Sequence, residues 1–222
     1  MGSLYSTESQ LEALQTKYSD CTDCNLHRDR HQVVPGYGSS TSKLLILAEA
    51  PGHTEDRKGI PLVGKSGKLL DLALEHSGIE RDSVWTTNTV LCIPKGVKGP
   101  RSVQAPTAPQ IKACSERLHK EVYALDPVAV LALGTTAVKQ LKGAANLRLG
   151  TAVGKVFRLE VTGRHISKVS YPAVATWHPA YLLRNNALRY ENNQLVPAHK
   201  TGEEWLEHIQ LAIHLSKLPR SF

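Results

Sequence analysis

Apolar runs and amphipathic segments alternate along this chain. The segment 43–50 (KLLILAEA) is a continuous apolar run with a polar end, which is typical of a parallel strand buried on both faces. Four later segments also predict strands, and they read SVWTTNTVLC (83–92), PVAVLALG (127–134), GKVFRLEV (154–161) and KVSYPAVATWHPA (168–180).

Helical periodicity fills most of the intervals between these runs. The segment 65–79 has an apolar helical face formed by Leu69, Leu70, Ala73 and Leu74. Thr107 with Pro109 opens a helix that continues to residue 125. Further helices are predicted at 8–18, 135–143 and 202–215, whereas 51–64 is predicted to be a long loop. Because strands alternate with helices, we predict a layered α/β fold with a mainly parallel sheet.

In such folds ligands bind at the carboxyl ends of the strands. Three polar features fall at predicted strand ends. They are the loop after Ala50, the segment around Asn88 and the triplet Trp177-His178-Pro179.

The stretch GIPLVGKS (59–66) matches the phosphate-loop pattern G-x-x-x-x-G-K-[ST]. A phosphate loop follows a strand directly, but Gly59 follows the polar residues TEDRK. Pro61 has no N–H to donate to a phosphate, and the strand VAVLALG ends in Gly134 instead of a magnesium-binding aspartate. We therefore expect no ATP binding.

The chain has 222 residues and a formal net charge of +7, which favours a polyanionic partner, nucleic acid above all. The alternative is a solubility charge without a partner. An apolar run long enough to span a membrane is missing from the sequence, and the first ten residues do not resemble a signal peptide. We expect a soluble, cytoplasmic protein.

The sequence contains four cysteines, of which Cys21 and Cys24 form a C-x-x-C pair in a polar setting. In a reducing compartment such a set is more often metal-binding than disulfide-bonded. Thiolates suit iron–sulfur clusters and zinc, and the spacing fits either.

Several motifs, in order, resemble the family 4 uracil-DNA glycosylases, the iron–sulfur branch of that superfamily. The quoted segments are AEAPGHTEDRKGIPLVGKSGKLLD, TNTVLC, KACSERL and ATWHPAYLLRN. The resemblance runs from about residue 10 to residue 215.

The resemblance implies a three-layer sandwich with a central, mainly parallel four-stranded sheet flanked by helices. It also implies a single domain over 1–222, with an N-terminal cluster-binding segment and a [4Fe-4S] cluster. Zinc is the alternative metal. The implied ligands are Cys21, Cys24, Cys92 and Cys114.

The implied activity is hydrolysis of the N-glycosidic bond of uracil in DNA, which starts base-excision repair. Asn88 would read uracil, because one carboxamide matches its O4 acceptor and N3–H donor. His178 would donate a hydrogen bond to O2 of the departing base. Glu49, ranked before Glu55, would orient water or stabilise the cationic sugar. Ala50, Gly52 and His53 would form the pocket wall.

The resemblance also implies a DNA-binding surface for single- or double-stranded DNA, in a protein expected to be a monomer. Leu182 would fill the gap left by a flipped base, and Arg184 would bind a phosphate. Further phosphate contacts are expected from Lys65, Ser66, Lys95, Lys98 and Arg101.

Leu62 departs from the family pattern, which has a phenylalanine expected to stack on the uracil ring. Base–aromatic stacking contributes roughly 1–3 kcal/mol per base. Its replacement by leucine implies either weaker activity on uracil or a pocket reshaped for another base. The alternative functions are therefore a glycosylase for a modified or deaminated base and, as a different class of protein, a non-catalytic DNA-binding iron–sulfur module.

Overall fold

The computed structural model describes residues 6–96, 102–163, 166–191 and 194–219. Within these ranges, the centre of the fold is a five-stranded sheet with the order β2-β1-β3-β5-β4. Its strands are β1 (Leu44–Ala48), β2 (Trp85–Asn88), β3 (Ala129–Leu133), β4 (Val156–Gly163) and β5 (Ile166–Thr176). The first four in spatial order are mutually parallel, which confirms the predicted sheet, and β4 adds an antiparallel edge strand.

Helices surround this sheet. The long ones are α1 (Thr7–Tyr18), α3 (Lys65–His76), α4 (Ala108–Leu125) and α8 (Lys200–Lys217). The short ones are α2 (His53–Lys58), α5 (Gly134–Val138), α6 (Leu149–Ala152) and α7 (Pro179–Arg184), and a separate hairpin joins β6 (Leu188–Glu191) to β7 (Gln194–Pro197). In the described part of the chain, no helix is long and apolar enough to cross a membrane.

Two apolar cores lie on the two faces of the sheet. In β1, Leu44, Ile46 and Ala48 pack with residues of α3 and α8, including the fully buried Trp205. The alternate residues Leu45 and Leu47 pack with residues of α1 and α4. This division of one strand between two cores produces the three predicted layers.

The loop predicted at 51–64 contains a helix that sequence periodicity did not indicate. Helix α2 is six residues long, too short for an amphipathic pattern, and ends at Gly59 in a left-handed conformation with φ of 71°. Gly64 then precedes α3, which begins at Lys65. GIPLVGKS therefore connects two helices, whereas a phosphate loop follows a strand.

Both edges of the sheet are partly covered. Tyr37 forms an antiparallel bridge with Thr86 along β2, and the backbone of Lys142 bonds to that of Arg158 in β4. On β4, Glu160 also pairs with Lys142 and Lys168 at 2.9 and 3.1 Å.

Candidate active site

The carboxyl ends of β1, β3 and β5 meet at one cavity of about 480 Å³. Glu49 follows β1, Thr135 lies just beyond β3, and His178 follows β5. Most of the residues predicted for the site line this cavity, namely Glu49, Ala50, Gly52, His53, Glu55, Leu62, Lys65, Ser66, His178 and Arg184.

Glu49 is partly buried, and its Oε2 accepts a hydrogen bond from the hydroxyl of Thr136 in α5. Thr136 was not predicted from the sequence. Its only signal was a polar pair after the glycine that ends the β3 run. The bond fixes one carboxylate oxygen of Glu49 at the cavity wall.

Glu55 is buried and organises the loop between α2 and α3. Its carboxylate accepts hydrogen bonds from the backbone N–H groups of Gly52, Val63 and Gly64 at 3.1, 3.0 and 2.7 Å. Because both oxygens are engaged by backbone donors, Glu55 holds the wall in place. The geometry favours Glu49 over Glu55 as the carboxylate that meets water.

Leu62 lies on the cavity wall in a left-handed conformation, with φ of 51°. Helix α3 passes very close to it, since a Cβ on Gly67 would lie 1.7 Å from the Leu62 carbonyl oxygen. Glycine at position 67 therefore permits the loop to pack against α3.

His178 precedes α7, and its Nδ1 accepts a hydrogen bond from the Ala180 N–H at 3.1 Å. A neutral ring with Nδ1 as acceptor carries its proton on Nε2. Burial, and to a smaller extent the charge of Arg184, lowers the pKa of His178 to about 4. His178 is therefore a neutral hydrogen-bond donor at pH 7.

The end of β3 makes room for this histidine. Gly134 has φ of 83°, and a Cβ built there would lie 2.9 Å from the His178 Cβ. A side chain at position 134 would thus both strain the backbone and displace His178.

Asn88 ends β2, opposite Ala48 of β1. Only 1% of the residue is exposed, and its Nδ2 has no hydrogen-bond partner within the described residues. Asn88 itself does not line the cavity, but Glu49 and Ala50, which follow its β1 partner, do. A buried, unpaired amide donor costs about 1–3 kcal/mol, which a bound acceptor could recover.

A buried ion pair supports the strand that carries Asn88. Arg117 of α4 contacts Glu121 at 2.5 Å and donates to the backbone oxygens of Asn88 and Thr89 at 2.7 and 3.0 Å. Glu121 also accepts from the indole N–H of Trp85 at 2.9 Å and from the Thr87 hydroxyl at 3.0 Å. Sequence analysis did not predict this network.

Helix α7 corrects the prediction made for Leu182. That residue is 1% exposed and packs in the core with α3 and α8, so it cannot enter DNA. Its neighbours Tyr181 and Leu183 are 37% and 41% exposed. Tyr181 lines the cavity and stacks on Trp177, with ring centroids 4.8 Å apart.

The residues predicted to contact DNA phosphates fall into three groups. Lys65, Ser66 and Arg184 line the cavity. The Nζ of Lys95 donates to the Asp29 carbonyl, and Lys95 does not line the cavity. Lys98 and Arg101 lie outside the described residues.

All four cysteines line one small cavity and form no disulfide. Arg30 donates to the Cys92 Sγ at 3.3 Å and to the Cys21 carbonyl at 2.5 Å. Burial raises the pKa of Cys92 to about 11, which the bond from Arg30 opposes. Among the described residues, no three Cys, His, Asp or Glu side chains are grouped as a metal site. The shared cavity, the free thiols and the nearby guanidinium nevertheless fit an anionic thiolate-bound centre.

A family model for the uracil DNA glycosylase superfamily matches residues 35–199. The type-4 uracil-DNA glycosylase of Pyrobaculum aerophilum is 34% identical over 82% of this chain and 88% of its own length. Type-4 uracil-DNA glycosylases of Thermotoga maritima and Archaeoglobus fulgidus are 32% and 30% identical, over 83% and 82% of this chain and 88% and 87% of theirs.

Proposed function

Since this chain belongs to the uracil-DNA glycosylase superfamily, we propose that it hydrolyses the N-glycosidic bond of uracil in DNA and so starts base-excision repair. The observation that carries this proposal is the pairing of a carboxylate and a neutral imidazole, Glu49 and His178, on the wall of one cavity.

His178 stabilises the leaving group. As the bond between N1 of uracil and C1′ breaks, negative charge develops on the base, chiefly on O2, and the sugar becomes cationic. The Nε2–H of a neutral His178 donates to that oxygen. Its orientation is fixed by the bond between Nδ1 and the Ala180 N–H, so little reorganisation is needed during reaction.

Glu49 acts on the attacking water and the sugar, whereas His178 acts on the departing base. Its carboxylate, held by Thr136, orients a water molecule toward C1′ and accepts a proton from it as the new C–O bond forms. The same negative charge stabilises the cationic sugar before the water attacks. Glu55 contributes indirectly, by holding the backbone of the loop that contains Leu62.

Asn88 selects the base. Uracil presents an acceptor at O4 and a donor at N3, and a single carboxamide satisfies both, whereas cytosine presents the reverse order. The unpartnered Nδ2 of Asn88 supports this role, since O4 of uracil would supply the acceptor that it lacks.

Contacts with DNA surround the cavity. Lys65, Ser66 and Arg184 bind phosphates at its rim. Tyr181, exposed and backed by Trp177, offers an aromatic surface that Leu62 does not. We assign to Tyr181 the stacking contact with the displaced base, which the family pattern gives to a phenylalanine at position 62.

The four cysteines would hold a [4Fe-4S] cluster with a structural role, which would tie the segment around Cys21 to the region of Cys92 and to α4. A bound cluster supplies cross-links between these segments. Because Leu11 of α1 packs in the same core as residues of α4, we propose that the N-terminal segment and the sheet form a single domain.

The experiment is single-turnover excision on matched oligonucleotides that contain uracil, thymine, cytosine or hypoxanthine at one position. Release of uracil alone is expected. Release of another base only would identify an altered specificity, and binding without release would identify a DNA-binding module. Iron and zinc analysis of anaerobically purified protein tests the cluster, and a zinc-only protein would contradict it.

A further inference from the structure

The ion pair between Arg117 and Glu121 is unusually deeply buried for a pair of charges. Arg117 is 3% exposed and Glu121 is 4% exposed. Removing two charges from water is costly, and a well-packed apolar pair in the same place is often as stable. The burial of this pair is therefore weak evidence for a role in stability alone.

The contacts of Arg117 converge on the strand end that carries Asn88. Its Nη2 binds the carbonyl oxygens of Asn88 and Thr89, while Nη1 binds Glu121 and the Thr87 hydroxyl. Planar guanidinium donors fix direction more strictly than an ammonium group does. One side chain thus holds the backbone carbonyls of Asn88 and Thr89, which follow the Asn88 Cα, and also binds the side chain of Thr87, which precedes it.

Glu121 holds the same strand from the other end of the ion pair. It accepts from Trp85 and Thr87, the residues whose positions along β2 alternate with Thr86 and Asn88. Successive side chains in a strand point to opposite faces. Anchoring Trp85 and Thr87 therefore fixes the rotation of the strand about its axis and the direction of the Asn88 side chain.

We propose that Arg117, with Glu121, is a positioning residue for base discrimination: it sets the direction of the Asn88 carboxamide. The inference rests on the proposed function, because it assumes that Asn88 reads the base. Arg117 also lines the cavity shared by the four cysteines, so the same side chain joins the cysteine region to the base-reading strand.

A double-mutant cycle with Asn88 tests the proposal. The double variant Arg117→Met/Glu121→Leu removes both charges together and leaves no isolated ion. The matched control is Glu116→Leu/Lys120→Met, which removes an exposed pair with the same i,i+4 spacing on the same helix. Arg117→Lys is a second test variant, since lysine keeps the charge and lacks the planar fork.

The readouts are single-turnover uracil and cytosine excision, iron content and thermal unfolding, each assayed at a temperature at which the variant is folded. We expect uracil excision to fall on the order of a hundredfold, as for a misplaced reacting group, while the control pair changes little. In an Asn88→Ala background the same substitutions should have no further effect, and iron content should be unchanged.

Three outcomes would overturn the inference. They are parental uracil excision in both Arg117 variants, an undiminished effect in the Asn88→Ala background, and an equal loss in the control pair. The last two would assign the ion pair to general stability. If the double variant does not fold, Arg117→Lys decides by the same criteria. If the parent itself excises no uracil, it is the proposed function that fails.

Discussion

Two strand ends at the same edge of the sheet are held in different ways. At the end of β2, Asn88 is supported by a buried network of charged and polar side chains from another element, α4. At the end of β5, His178 is held by the N–H of Ala180, two residues away, and by the space that Gly134 leaves open.

The difference matches the roles proposed for the two side chains. An amide that distinguishes bases depends on direction, so its strand needs support from a distance. A histidine that donates to a leaving group must be neutral and correctly tautomeric, and burial together with one local bond achieves both. Long-range support should thus govern specificity, and local burial should govern rate.

Removing His178, the side chain held by local contacts, should have the largest effect on the rate of excision. His178→Ala removes the donor to the departing base, and loss of one such donor costs about 10²–10³ in rate. We expect a fall of that size in the single-turnover rate at saturating enzyme, with DNA affinity unchanged in a salt titration. If affinity falls and the saturated rate does not, His178 binds DNA and does not assist the leaving group.

Asn88→Ala should reduce uracil excision on the order of a hundredfold. The substitution removes two hydrogen bonds to the buried base, each worth about 1.4 kcal/mol. The uracil preference over cytosine should narrow as well. Excision of both bases in a single-turnover assay measures this, with Asn185→Ala, an exposed asparagine beyond α7, as the control. A variant that is as selective as the parent would show that Asn88 does not contact the base.

A larger side chain at position 62 of the cavity wall should raise uracil excision, whereas the two previous substitutions lower it. Leu62→Phe restores a stacking surface beside the base, and recovery of about 1.4 kcal/mol would raise uracil excision about tenfold at subsaturating enzyme. A Tyr181→Leu variant should lose activity, and should lose less of it when combined with Leu62→Phe. If Leu62→Phe leaves excision of every tested base unchanged, the residue does not contact substrate.

The smallest expected effect is on the pH dependence of kcat/KM. Because the pKa of His178 is lowered to about 4, the acid limb of kcat/KM should lie near pH 4, well below the ordinary value of 6.5 for histidine. Arg184→Gln removes a positive charge that lowers this pKa, so the limb should move to higher pH. If the acid limb does not move, the charge of Arg184 does not affect the pKa of His178.

The same lowered pKa affects stability. The unfolded chain binds a proton at His178 below pH 6.5, while the folded protein does not until about pH 4. Stability from this group is therefore complete above pH 6.5 and is lost as the pH falls toward 4. Thermal unfolding of a His178→Asn variant should depend less on pH across this interval.

Sequence patterns predicted the sheet because strands such as β1 and β3 are continuous apolar runs. They also placed Glu49, Asn88 and His178 at strand ends, where ligands bind in such folds, but the roles of these residues were predicted from the family resemblance. The patterns missed Thr136, Arg117 and Glu121, whose contacts with the site join distant segments of the chain. The analogy with the family misplaced Leu182, because a helix of six residues has no periodicity that separates this residue from Leu183. Local sequence patterns identify where strands end. They do not indicate which residues from distant segments contact those strand ends in the folded protein.

The edge strands described above have a consequence for how this protein behaves at high concentration. An uncovered strand offers unpaired N–H and C=O groups to other chains and so promotes aggregation. Here the bridge from Tyr37 occupies part of one edge, and the charges of Lys142, Glu160 and Lys168 flank the other. Substituting those three charged residues with threonine would keep the backbone bridge from Lys142 but remove the charges that oppose intermolecular strand pairing along the rest of β4.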